Sequence, residues 1–154
     1  TEDKIFRKLF LNSIQESISR ELFDEELNRI DKIVKSVQER LETMNDIKEQ
    51  VMFVLDEPFE VNSDDWSDVN TEDGQKYMKN VREKFMSANN FELNDIEVIM
   101  REELKALDIK PKIGFQITRV AVTGTKVSPP LFESIYALGK ETTIARLAES
   151  IEDL

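Results

Sequence analysis

The 154-residue sequence contains neither cysteine nor histidine. Without cysteine there are no disulfides, thiolate metal ligands or thiol nucleophiles. Without histidine the commonest general base and the commonest zinc ligand are gone as well. Glycine and proline are scarce, four of each, so little interrupts regular structure, and the abundant Leu, Ile, Glu and Lys favour helix over strand. No apolar run approaches the roughly 20 residues a membrane helix needs. The opening Thr1-Glu2-Asp3-Lys4 lacks the basic-then-apolar order of a signal peptide. A cytoplasmic location and no membrane partner are therefore expected. The chain also opens without Met and inside a helical pattern, as a fragment would.

What is present is a balance of 40% hydrophobic and 34% charged residues, which belongs to a globular chain rather than a disordered one. A chain of this size buries roughly two-thirds of its unfolded surface, enough for a real core. The net charge of −11 argues against indiscriminate nucleic-acid binding, which needs many Lys and Arg against phosphates. The average hides a segregation. Between Ile109 and Arg146 the charges are Lys110, Lys112, Arg119, Lys126, Lys140 and Arg146 against Glu133 and Glu141, which makes that stretch +4 and the remainder −15. A locally basic segment in an acidic chain fits a small, specific anion site; the competing reading is a chance fluctuation on solvated surface.

Helical periodicity is visible almost throughout. Ile5, Phe6, Leu9, Phe10, Ile14 and Ile18 predict a first amphipathic helix to about Glu21. Asp24 is placed to cap a second, whose stripe runs Leu27, Ile30, Val34, Val37, Leu41, Met44, a seam too short for a sustained coiled coil. Thr43 with Asp46 suggests a fresh cap, and a short third helix carries Ile47, Val51, Val54 and Leu55 until Asp56-Glu57-Pro58 stops it. Pro58 to Asp73 reads as an acidic, polar boundary anchored by Phe59, Val61 and Trp66. Glu72 to Ser87 forms a helix, and Asn94 with Glu97 has capping-box spacing for the next, which buries Ile96, Ile99, Met100, Leu104 and Leu107. Ile113 to Val127, rich in β-branched residues, reads as strand on propensity. Ser128 as N-cap and Pro129 as first helical residue then open a helix closed by Gly139, followed by a last one through Ile144, Leu147 and Ile151.

Catalytic patterns are lacking. The carboxylates fall in runs such as Glu25-Glu26, Asp64-Asp65 and Glu102-Glu103, typical of solvated faces, and no pair stands out as an acid–base couple. Asp64 to Asp68 lacks the central Gly and final Glu of a calcium loop. Thr123-Gly124-Thr125-Lys126 is too short for a phosphate-cradling loop.

The order Arg119-Val-Ala-Val-Thr-Gly124, Ser128-Pro-Pro-Leu-Phe-Glu133, Leu138-Gly-Lys-Glu141 and Arg146-Leu147 resembles the C-terminal region of bacterial-type glutamyl-tRNA synthetases. Upstream, Glu39-Arg40-Leu41 with Thr43, leading into Met52-Phe53, is similar to that family's first anticodon-binding sub-domain. The resemblance implies an all-α fold of two small helical sub-domains, residues 1–57 and 58–154, caging the anticodon loop, and it implies helix rather than strand through Arg119. It also implies a function: reading the tRNA(Glu) anticodon for a catalytic half whose class I nucleotide-binding signatures are absent from this sequence. ATP and magnesium would then belong to the parent enzyme, with no cofactor, metal or catalytic residue in this segment. The implied partners are the tRNA(Glu) anticodon loop and the catalytic half, in a monomer.

Residue by residue, Arg40 matches the arginine that reads the first anticodon base, and Arg119 one that approaches the second and third. Ser128, Pro129 and Leu131 match the turn and helix start against which those bases rest. Lys112 and Lys126 are candidates for phosphate positioning, which carries no sequence information. Splayed bases are read on their edges by donors and stacked on flat groups, and arginine does both. Against these roles stand the readings of Arg40, on its residues alone, as an ordinary surface arginine extending the Glu39 helix face, of Arg119 as a paired structural arginine, and of Leu131 and Phe132 as core. The alternative function is an acidic helical protein-interaction module using the Leu27–Met44 seam.

Overall fold

The structure, a computed structural model, describes residues 2–38, 52–55 and 59–152. Among these residues there are eight α-helices and no strand, so the all-α expectation holds. We number them α1 (Glu2–Ser17), α2 (Asp24–Gln38), α3 (Ser63–Val69), α4 (Glu72–Ser87), α5 (Leu93–Leu107), α6 (Pro111–Thr123), α7 (Leu131–Leu138) and α8 (Lys140–Ser150). A 3-10 turn at Met52–Val54 lies between α2 and α3.

α1 buries Phe10 and Ile14 but leaves Ile5 and Leu9 exposed, so only part of its apolar stripe enters the core. Asp24 is the first residue of α2 rather than its cap. The capping carboxylate is that of Glu26, which accepts the Phe23 N–H at 2.9 Å and both Nη groups of Arg20 at 2.8 Å. Fully buried, Glu26 is neutralised by this fork, the condition for burying a charge. The fully buried apolar residues described in α2 are Ile30 and Ile33, on a helix that crosses α7. The described part of the seam therefore faces the molecule's own core. The third helix expected through Ile47 and Val51 lies outside the described residues apart from its end, which is the 3-10 turn with Phe53, Val54 and Leu55 buried.

The stretch read as a polar boundary contains α3. Asn62 explains it: its Oδ1 accepts the Asp65 N–H at 3.0 Å, and Asp64 and Asp65 sit in the first turn, where the helix dipole favours acids. α4 begins and ends where the sequence places it, capped by Thr71 on the Gly74 N–H. It is the central helix, touching α5, α6 and α8 through Tyr77, Met78, Val81 and Phe85. Gly114 lets α6 approach it, since a Cβ there would meet Leu104 at 2.8 Å and Tyr77 at 3.0 Å. The capping box of α5 is Glu92 with Asp95, two residues earlier than Asn94 and Glu97, because the chain turns helical at Leu93.

The strand reading of the Arg119 segment is wrong. α6 runs Pro111–Thr123, with Ile117, Val120, Ala121 and Val122 buried. Burial on several faces overrides β-propensity, which measures packing more than backbone preference. The threonines are accommodated as well: Thr118 Oγ1 donates to the Gly114 carbonyl at 2.8 Å and Thr123 Oγ1 to that of Arg119 at 2.7 Å. Gly124, at φ 91°, ends the helix in the left-handed region, and Gly139 (φ 86°) separates α7 from α8 as expected.

Tyr77 is fully buried and its hydroxyl donates to the Met100 carbonyl at 2.8 Å. Burial, reinforced by nearby Glu103, raises its pKa well above the ordinary value. The folded state thus resists ionisation that the unfolded chain undergoes near pH ~10. This contribution is present below that pH and falls away as pH rises past it. Tyr77→Phe is expected to cost about 1 kcal/mol at neutral pH, with the gap to wild type closing above pH ~10, as read by urea denaturation at both pH values. An unchanged gap would count against this account.

Candidate functional site

The site is built around the end of α6 and the turn into α7. Arg119 is half-buried on α6, and its Nη1 donates to Ser128 Oγ at 2.5 Å and to the Pro129 carbonyl at 2.8 Å. The structure thus brings Arg119, Ser128 and Pro129 together, and the arginine has a structural partner on this turn. Ser128 is not the N-cap of α7, nor Pro129 its first residue. Pro130 is the cap and Leu131 the first helical residue. The reason is steric: Pro130 disfavours helical geometry in Pro129, and Pro129 does the same to Ser128. With no capping work, the Ser128 side chain is buried at 4% exposure and serves Arg119 instead. Ser134 then secures the prolines, its Oγ donating to the Pro130 carbonyl at 2.9 Å.

The remaining sequence candidates fall in different places. Leu131 is core, at 5% exposure, so its side chain faces the interior. Lys112 is exposed on the first turn of α6. Seven residues before Arg119, it occupies the same helix face about 10 Å away. Lys126 is exposed but committed: its Nζ pairs with Asp68 and its N–H donates to Asp65 at 2.9 Å. The hydrogen bond with Asp68 raises its pKa. α3 places Asp68 there, which is why a loop reading of that segment hid the pairing. Arg40 lies outside the described residues.

Arg101 and Phe115 carried no signal in the sequence. Arg101, exposed on α5, places its guanidinium 5.4 Å from the Phe132 ring centroid and 5.9 Å from that of Phe115, while Glu97 accepts from it at 2.9 Å. Phe115 and Phe132 meet edge to face at 5.4 Å. Val127 is 65% exposed and Pro130 is exposed beside it. Arg146, by contrast, is buried; its Nη1 donates to the Val122 carbonyl at 2.8 Å and its guanidinium lies 3.9 Å from the Phe59 centroid. Planar cations, aromatic edges and a rigid apolar turn can stack and hydrogen-bond flat, splayed groups.

Fold and site together define a helical binding domain with a guanidinium-bearing surface. The profile of the anticodon binding domain matches residues 8–151. Glutamate–tRNA ligase of Symbiobacterium thermophilum is 32% identical over 116 residues, 75% of this chain and 24% of that protein. The enzyme of the same name from Cutibacterium acnes is 31% identical over 132 residues, 84% and 27% of the two chains. A solved glutamate tRNA ligase from Elizabethkingia meningosepticum superposes with a TM-score of 0.77 at 19% identity, over 100% of this chain and 30% of that one. The chain belongs to the anticodon binding domain family, and its resemblance to the C-terminal anticodon-binding region of glutamate–tRNA ligases holds. It spans about a quarter of the length of these curated relatives.

The two buried polar ties differ in strength. Arg146→Met, which keeps the aliphatic bulk, is expected to cost about 1.5–3 kcal/mol, because a charged donor is lost from a buried carbonyl. Ser128→Ala is expected to cost less, about 1 kcal/mol, because the Arg119 guanidinium it releases is half-exposed and keeps the Pro129 carbonyl. Urea denaturation of both variants measures the order; a larger loss for Ser128→Ala would contradict it.

Proposed function

We propose that this chain is the anticodon-reading module of a glutamate–tRNA ligase, acting in the cytoplasm on tRNA(Glu) so that the enzyme's catalytic half attaches glutamate. The carrying observation is the Arg119 guanidinium fixed beside the proline turn that opens α7. A planar donor held in place, next to an exposed Val127 and Pro130, suits a splayed base better than a mobile surface arginine would. In this reading Arg40 reads the first anticodon base and Arg119 approaches the second and third. Ser128 and Pro129 act by shaping the turn, and Leu131 by anchoring the helix start from inside. Lys112 positions backbone phosphate; Lys126, shared with Asp68, contributes less.

Two sub-domains, residues 1–57 and 58–154, would form the cage, meeting where α2 crosses α7. ATP and magnesium belong to the catalytic half in this proposal. Among the described residues no group of three or more carboxylates is gathered as a metal cluster. The four glycines lie singly within α4 and α6 or at helix ends, so none forms a phosphate loop.

The test is binding to anticodon stem-loops bearing glutamate or glutamine anticodons. Arg40→Ala is expected to weaken the glutamate stem-loop by about 1–3 kcal/mol and to relax discrimination at one base. Lys112→Ala should weaken all stem-loops alike and reduce the salt slope by about 0.7. If both variants bind every stem-loop like wild type, the assignment of these residues fails.

A further inference from the structure

We infer that the groove between α3 and the C-terminal end of α8 binds a cationic, apolar-anchored peptide segment of a partner protein. This surface is separate from the Arg119 turn, and the inference does not rest on the RNA reading. The groove encloses about 410 Å³, with Phe59, Val61 and Trp66 as its floor and Ser63, Glu149 and Glu152 at its edge. That volume falls within the range of about 300–1,000 Å³ typical of binding clefts. The three apolar residues pack on the core yet stay half-buried, each keeping a face open.

The groove is built rather than incidental. Phe59 rests on the Arg146 guanidinium at 3.9 Å, and the Asn62 N–H donates to the Gly124 carbonyl at 2.8 Å. The opposite wall is clipped at three points. Gln75 Nε2 donates to the Ser150 carbonyl at 3.0 Å, the Glu152 N–H to Gln75 Oε1 at 3.0 Å, and Asn70 Nδ2 to Glu152 Oε1 at 2.8 Å. A preformed cleft loses little ordering entropy on binding.

Charge decides the occupant. Glu149 and Glu152 are exposed carboxylates on the groove, Glu60 and Asp64 are exposed nearby in sequence, and among the described residues no Lys or Arg lines it. Arg146 lies behind Phe59 with its charge engaged at Val122. Lys76 and Lys79 line the adjoining groove, which shares Glu152 with this one, and do not line the apolar floor. RNA phosphate meets repulsion here, as does a second copy of a chain carrying −11. A lysine- or arginine-bearing segment with a large apolar side chain satisfies both the floor and the rim.

Trp66 is the single tryptophan, so its emission reports on this groove alone. The chain is titrated with a lysine-rich hexapeptide containing one leucine and one phenylalanine, with the same peptide carrying glutamate for lysine, and with an anticodon stem-loop. The lysine peptide should shift Trp66 emission saturably, with affinity falling as salt rises, and the glutamate peptide should not. Glu149→Gln with Glu152→Gln keeps the acceptor for Asn70 and should weaken binding roughly fivefold to tenfold, with the helical circular dichroism unchanged. The inference is overturned by an unresponsive Trp66, by salt-independent binding, or by a double variant that binds like wild type. It is equally overturned if the stem-loop saturates the same signal and displaces the peptide.

Discussion

Arg146 pins the end of α6, and the rest of the site is arranged from that point. The last carbonyls of a helix have no partners within it and carry the negative end of its dipole. Here a buried guanidinium from α8 donates to the Val122 carbonyl, Gly124 N–H closes on Val120, and Asn62 reaches the Gly124 carbonyl from the start of α3. Three segments thus converge on one helix terminus. The turn that follows contains Ser128 and Pro129, so the position of Arg119 relative to that turn depends on this junction.

The basic segment counted along the sequence is spent very unevenly. Of its six cations, Arg146 is interior, Lys126 is paired with Asp68, and Lys140 donates to the Ala88 carbonyl at 2.7 Å. Lys110 and Lys112 are exposed, and Arg119 is half-exposed on the turn. Electrostatic pull on a polyanion is therefore weaker than a charge of +4 implies, and in the proposed RNA-binding role shape and directed donors carry the recognition.

Helix existence was legible because apolar residues recur at three and four along nearly every segment. The boundaries of α4 could be read directly, since Thr71 offers its hydroxyl where the periodicity begins. Other starts could not. Asn62 makes a helix from a stretch whose acidity looked like loop, and Glu26 rather than Asp24 closes the turn before α2. The Arg119 segment defeats local reasoning altogether: Ile117, Val120 and Val122 carry strand propensity, and only burial against α4, α3 and α8 makes them helical. Motif resemblance supplied what propensity could not. At the site, Arg119, Ser128 and Pro129 are neighbours, yet the burial of Leu131 and the pairing of Lys126 are tertiary facts with no sequence spacing to announce them.

The seam between α4 and α8 is laced by polar side chains as well as packed. Gln75 reaches Ser150, Arg82 Nε donates to the Ile144 carbonyl at 3.1 Å, and Lys140 reaches Ala88, so the two helices run antiparallel with ties at both ends and the middle. The tied residues are 75, 62 and 52 positions apart along the chain. Each tie closes a long loop, and its entropy is repaid only once the helices between have settled. During synthesis α4 therefore emerges long before the partner that completes it, and the two helices become a single cooperative unit only when α8 docks. In the native state the backbone amides of the central helix can open no more easily than that late-arriving helix allows.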